Sequence, residues 1–143
     1  LTSKGNYQSQ KATEAIVDGG FFGKGIGEGT LNTRVPEAHT DYVISVISEE
    51  FGILFILLIL LIFLILIFNI FKKIPLEKNN INKLVLIGSI LLILIQVLIH
   101  TGVNIRLLPT TGMTLPFISY GGSSILSSSI LAGLILNFTK RKF

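Results

Sequence analysis

Two long apolar blocks dominate the chain from Phe51 onward, and a polar, glycine-rich stretch precedes them. From Phe51 to Phe71 nearly every residue is Ile, Leu or Phe, with only Gly52 and Asn69 interrupting. A helix of that length rises about 30 Å, the thickness of a bilayer's hydrocarbon core. A buried helix of a soluble protein would keep a polar stripe; this run has none, which predicts a membrane span. A second apolar block runs from Leu84 to about Asn104, after Pro75 and a cluster of asparagines that stop the first. A third, Ser123 to Phe138, is short by itself and sufficient if Phe117 to Tyr120 also enters the membrane. The pattern predicts an all-α, polytopic transmembrane helical bundle. It divides into a polar loop over 1–42, spans over 43–71, 84–104 and 123–138, a basic loop over 72–83, a re-entrant or cavity-lining segment over 105–122 and a tail over 139–143.

Charge then orients these elements. Lysines at 72, 73, 78 and 83 and the closing Lys140-Arg141-Lys142 flank the apolar blocks, and cytoplasmic loops are the ones enriched in Lys and Arg. Two crossings separate the two basic sites, so both assignments agree. They leave segments 1–42 and 105–122 on the extracytoplasmic face, where chemistry is to be sought. The formal net charge of +4 is thus a topology signal, and nothing resembles the aromatic-basic patterns of nucleic-acid binders. With no cysteine, disulfides and thiolate metal sites are excluded. The chain starts at Leu1 and its one methionine is Met113, which points to a piece of a longer or processed chain, with no signal peptide expected.

Several polar groups call for a role. Gln96, His100 and Asn104 recur every four residues, so they share one helix face. Polar groups in lipid are costly, and interhelical hydrogen bonding is the favoured reading over substrate contact. Glu49 and Glu50 open the first span, where carboxylates gain from the helix macrodipole. The run from Gly19 to Gly29 lacks the GK[ST] ending and the strand context of a phosphate loop, so it reads as backbone that turns tightly against other elements. In Pro36-Glu37-Ala38-His39-Thr40-Asp41-Tyr42, Thr40 or Asp41 can simply cap the following helix. A carboxylate there can also take a proton from a substrate hydroxyl; the helix N-terminus would lower its pKa, while burial and Glu37 would raise it. Between Leu108 and Ser124, helix breakers alternate with hydroxyl residues. Broken backbone at membrane depth belongs inside protein or beside a cavity, where free hydroxyls and amides can hold a polar headgroup.

The pairing of Pro36-Glu37-Ala38-His39-Thr40-Asp41 with Leu115-Pro116-Phe117-Ile118-Ser119-Tyr120-Gly121-Gly122-Ser123-Ser124 resembles the SEDS family, which includes FtsW, RodA and SpoVE. Tyr7-Gln8 and the Gly19–Gly29 run are similar to that family's large outer loop, so the resemblance covers nearly the whole chain and its C-terminal three spans. Ala38 and Thr111-Gly112-Met113-Thr114 lean toward the FtsW branch. One departure is His100, where the family usually has asparagine.

The resemblance implies a peptidoglycan glycosyltransferase that polymerises lipid II, the undecaprenyl-pyrophosphate-linked disaccharide peptide. Its partners would be a class B penicillin-binding protein and other divisome proteins. Its place would be the bacterial cytoplasmic membrane at the division septum. It also implies that Asp41 is the general base toward the acceptor hydroxyl, with inversion at the anomeric centre. Glu37, His39, Thr40, Ser119, Tyr120, Gly121, Gly122 and Ser123 are the substrate-binding expectations. Lys11, Lys24, Arg34 and Arg106 are candidates to clamp the diphosphate, although solvated surface charge also accounts for each. A divalent cation, Mg or Mn, would suit the diphosphate, but no dedicated ligand set is visible. This piece alone is expected to be inactive. A flippase for a lipid-linked precursor and a non-catalytic divisome scaffold remain as alternatives.

Overall fold

The computed structural model describes residues 3–139, so the basic tail 140–143 lies outside the described residues. The fold is all helical: α1 (Ser3–Gly19), α2 (Leu31–Arg34), α3 (Val43–Phe51), α4 (Ile53–Lys73), α5 (Asn80–Asn104) and α6 (Gly122–Thr139). Ile53–Leu76, Asn80–Asn104 and Gly122–Thr139 are long and apolar enough to cross a membrane. Their mutual contact is an apolar seam of Ile56, Phe63 and Ile70 from α4, Leu86, Ile90, Ile93 and Val97 from α5, and Ile135 from α6. Most other side chains on these helices stay exposed, as expected where lipid or further protein is the solvent.

The first span departs from the sequence pattern. Instead of one helix over 43–71, the backbone breaks at Gly52, whose φ of 85° is left-handed. A side chain there would collide with the carbonyl of Phe21. The glycine-rich loop supplies what the break exposes. Lys24 N–H and Gly25 N–H donate to the carbonyls of Glu49 and Glu50, and Ile53 N–H donates to the carbonyl of Gly20. The backbone groups orphaned at the two helix ends are thereby satisfied by a third segment. The break also moves Glu49 and Glu50 from the opening turn of a helix to the closing turn of α3, where the macrodipole disfavours carboxylates. Glu49, 1% exposed, is held instead by Lys24 Nζ (3.1 Å), Thr30 Oγ1 (3.1 Å) and Leu31 N–H (3.0 Å). At the other end of α4 the helix runs on to Lys73, and a 3₁₀ turn at Ile74–Leu76 leads to α5. The Asn79 side chain caps α5 by accepting from Ile81 N–H.

The polar first third of the chain is not featureless. Helix α1 lies against α3 through Ala12, Ala15 and Gly19, spaced three and four apart on one face. A side chain at Gly19 would collide with the carbonyl of Ser48, so the two helices touch backbone to backbone. Together with Leu31, Val35, Ala38, Tyr42, Val46 and Val103 they form a second apolar cluster, above the ends of the long helices.

Candidate functional site

The two motif segments meet where α3 and α6 begin and α5 ends. Residues 36–42 form a tight double turn in which Thr40 N–H and Asp41 N–H both donate to the carbonyl of Glu37. Three successive carbonyls of this turn are then taken by other elements. The carbonyl of His39 accepts from Tyr120 N–H at 3.1 Å. That of Thr40 accepts from Ser119 Oγ at 3.0 Å and lies 3.3 Å from His100 Nε2. That of Asp41 accepts from Asn104 Nδ2 at 3.0 Å.

Asn104, fully buried, is the hub. Its Oδ1 accepts from Ser45 N–H (3.1 Å) and Ser45 Oγ (2.7 Å), and its Nδ2 also reaches the carbonyl of His100 (2.8 Å). Ser45 is the third residue of α3, so Asn104 supplies from another helix the bond that an N-cap side chain normally makes. The cap residue itself is Tyr42, which makes no side-chain cap bond. This corrects the expectation that Thr40 or Asp41 caps α3, and it leaves the Asp41 carboxyl outside the cap. His100 completes the network. With Nε2 protonated it donates to Thr40, and its Nδ1 lies 3.3 Å from Asn104 Nδ2, whose two hydrogens serve the carbonyls of Asp41 and His100. The interhelical role expected for this face thus holds for His100 and Asn104, while Gln96 is half-buried.

Among the described residues the ion pairs join Lys11 to Glu14 and Lys24 to Asp18 and Glu49. Asp41 belongs to none of them. Half-buried, it is held above the ordinary carboxylate range by desolvation first and by the neighbouring Glu37 second, with the Thr40 hydrogen bond opposing. Tyr42 beside it is fully buried, and burial together with the same two carboxylates pushes its phenol up to about 12.

The expected site residues divide in two. Glu37, His39, Tyr120, Gly122 and Ser123 are exposed, and Thr40 and Gly121 are half-buried, around the turn that carries Asp41. Ser119 is not available to a ligand as expected. It is 2% exposed, and its hydroxyl accepts from Leu115 N–H while donating to Thr40. Its task is to close the 115–119 turn, in which Phe117 takes a left-handed φ of 65°. Of the four clamp candidates, Lys11 and Lys24 are engaged in ion pairs, whereas Arg34 and Arg106 are exposed and make none among the described residues. For a metal, no group of three or more His, Cys, Asp or Glu comes together among the described residues, so these side chains do not fit a dedicated cation site. A largely apolar groove of about 410 Å³ lies between α4, α5 and α6. Its wall includes Phe117 but not Asp41, and its polar groups, Asn69, Lys73 and Thr139, lie toward the far ends of α4 and α6, away from the motif turns.

Similarity to known proteins follows the same residues. The FtsW/RodA/SpoVE family, described as cell cycle proteins, matches residues 2–142. A protein named probable peptidoglycan glycosyltransferase FtsW from Enterococcus hirae is 42% identical over 137 residues, covering 95% of this chain and 34% of that one. One of the same name from Caulobacter vibrioides is 38% identical over 136 residues, covering 95% and 35%. Among solved structures, a chain reported under "Structural coordination of polymerization and crosslinking by a peptidoglycan synthase complex" superposes with a TM-score of 0.75. It is 28% identical and is matched over 93% of this chain and 36% of its own length. The present chain therefore spans about a third of the length of the relatives it matches.

Proposed function

The chain belongs to the FtsW/RodA/SpoVE family of membrane proteins, and from that we propose that it carries the base-bearing part of a peptidoglycan glycosyltransferase that polymerises lipid II during bacterial cell division. The observation that carries this reading is Asp41: a half-buried carboxyl without a cationic partner, on a turn whose carbonyls at 39, 40 and 41 are each fixed by another element. A general base needs that combination of fixed position and raised proton affinity.

In the proposed reaction the acceptor sugar hydroxyl attacks the anomeric carbon of the donor. Its proton passes to Asp41, the carbon–oxygen bond to the diphosphate breaks, and undecaprenyl pyrophosphate leaves with the electron pair. Attack from the face opposite the leaving group inverts the centre. The leaving group is already a stabilised anion, so the site needs a base and positive charge more than an acid. Of the four candidate cations, Arg34 and Arg106, exposed and without an ion pair among the described residues, would supply that charge. The exposed Glu37, His39, Tyr120 and Ser123 would contact the sugars. On the orientation implied by the basic loops, this site faces the extracytoplasmic side, and a class B penicillin-binding protein would be the crosslinking partner.

The test is to supply lipid II to the purified full-length protein with that partner, and a ladder of glycan strands is the expected product. Translocation of the lipid without polymer would favour a flippase, and septal recruitment without either activity a scaffold.

Acid dependence offers a second check. Asp41 must be deprotonated to act, so kcat/KM falls as pH drops through its pKa, which lies above the ordinary carboxylate value. The Glu37 charge contributes to that elevation. Glu37→Gln removes it, lowers the Asp41 pKa and moves the acid limb to lower pH. An unmoved limb would detach the profile from Asp41.

A further inference from the structure

The segment that ends α1 and follows it exposes four large apolar side chains within ten residues: Val17 (73%), Phe21 (69%), Phe22 (85%) and Ile26 (80%). Contiguous exposure of this kind marks an interaction surface. Its height relative to the membrane is set by backbone. Gly20 receives the N–H of Ile53, the first residue of α4, while Lys24 and Gly25 bond the carbonyls just before the break. Phe21 and Phe22 therefore sit level with the start of the first span.

Where that level lies follows from α4 itself. Its 21 residues rise about 32 Å, close to the hydrocarbon thickness. Its last turn holds Lys72 and Lys73, charges that mark the end of the apolar span, and Lys72 Nζ lies over the ring of Phe68, one turn back along the helix, at 4.4 Å. With that end at one boundary, Ile53 and the loop bonded to it fall at the other. The surface adjoins the α3–α4 break, across which the Phe51 and Phe55 rings stack at 4.9 Å and beside which Ile53 and Leu54 are exposed. The loop's cation does not oppose insertion, because Lys24 is folded back onto Asp18 and Glu49.

We propose that residues 17–26 form an interfacial membrane anchor, with Phe21, Phe22 and Ile26 seated among the acyl chains at the headgroup boundary beside the first turn of α4. The partner is the lipid surface of the leaflet on that side. The anchor fixes α1, whose Ala12 and Ala15 pack in the same cluster as Ala38 and Tyr42 on the turn that bears Asp41. The inference does not depend on the catalytic reading.

These residues include no tryptophan, so in the full-length protein, with any tryptophan elsewhere replaced by phenylalanine, a single reporter is clean. Phe22→Trp and, as a second variant, Ile26→Trp are to be reconstituted in phosphatidylcholine vesicles with and without bromine on the acyl chains near the carbonyl. Phe55→Trp in the same chain marks full lipid contact. Fluorescence of both loop reporters is expected to fall about twofold or more in brominated lipid, as for a side chain at the interface, and to resist aqueous iodide. Quenching by iodide and not by brominated lipid would place the loop in water and overturn the proposal. Protection from both would assign the surface to a covering protein and overturn it equally.

Discussion

Asp41→Asn is expected to abolish polymerisation while leaving the protein more resistant to heat at neutral pH. Loss of a general base typically costs about 10²- to 10⁴-fold in rate, and asparagine keeps the shape of the side chain. The stability effect follows from linkage. The folded-state pKa of Asp41 lies above its unfolded value, so the folded state binds the proton more tightly. Its favourable contribution is present at low pH and is lost as pH rises through the window between the two values, leaving an ionised carboxyl partly desolvated, beside Glu37 and without a counter-charge. Asparagine removes that charge at every pH. The difference in Tm between variant and parent, measured in detergent, should be positive at neutral pH and vanish in acid. A variant that is both inactive and less stable would make Asp41 a structural residue. Polymerisation at the parent rate would end the catalytic assignment.

The three spans were legible because lipid imposes a length and an unbroken apolarity that few other environments require. The interruption at Gly52 was not. A glycine inside Ile, Leu and Phe leaves the pattern intact, and the break becomes evident only when the Phe21 carbonyl occupies the place of a side chain. Helix α1 escaped for a related reason. Its buried stripe is Ala12, Ala15 and Gly19, small residues that add little to hydropathy yet allow close approach. At the site, motif order was enough to pair segments 36–41 and 115–124, and the four-residue spacing of His100 and Asn104 was enough to turn both inward. What spacing could not show is that Asn104 caps α3 from 59 residues away in place of a local side chain. A cap supplied by another helix leaves no local signature, so the sequence pattern credited that role to Thr40 or Asp41.

That substitution of roles makes Asn104 the second residue with a large expected effect. Asn104→Leu keeps much of the volume but strips partners from Ser45 N–H, Ser45 Oγ and the carbonyl of Asp41, all at the buried junction of α3 and α5. Buried groups left unsatisfied cost about 1–3 kcal/mol each, so a loss on the order of 3 kcal/mol or more is expected. Activity should fall with it, but the informative readout is pH. With Ser45 N–H vacated, the Asp41 carboxyl, one residue before the Tyr42 cap, is the acidic group closest in sequence to the α3 N-terminus, and a carboxylate that caps a helix is stabilised in its charged form. Its pKa drops, and the acid limb of any residual polymerisation moves to lower pH. A residue that only filled space would reduce activity and stability and leave that limb in place. A shifted limb would identify Asn104 as a positioning residue that keeps the Asp41 carboxyl off the helix end and available to substrate.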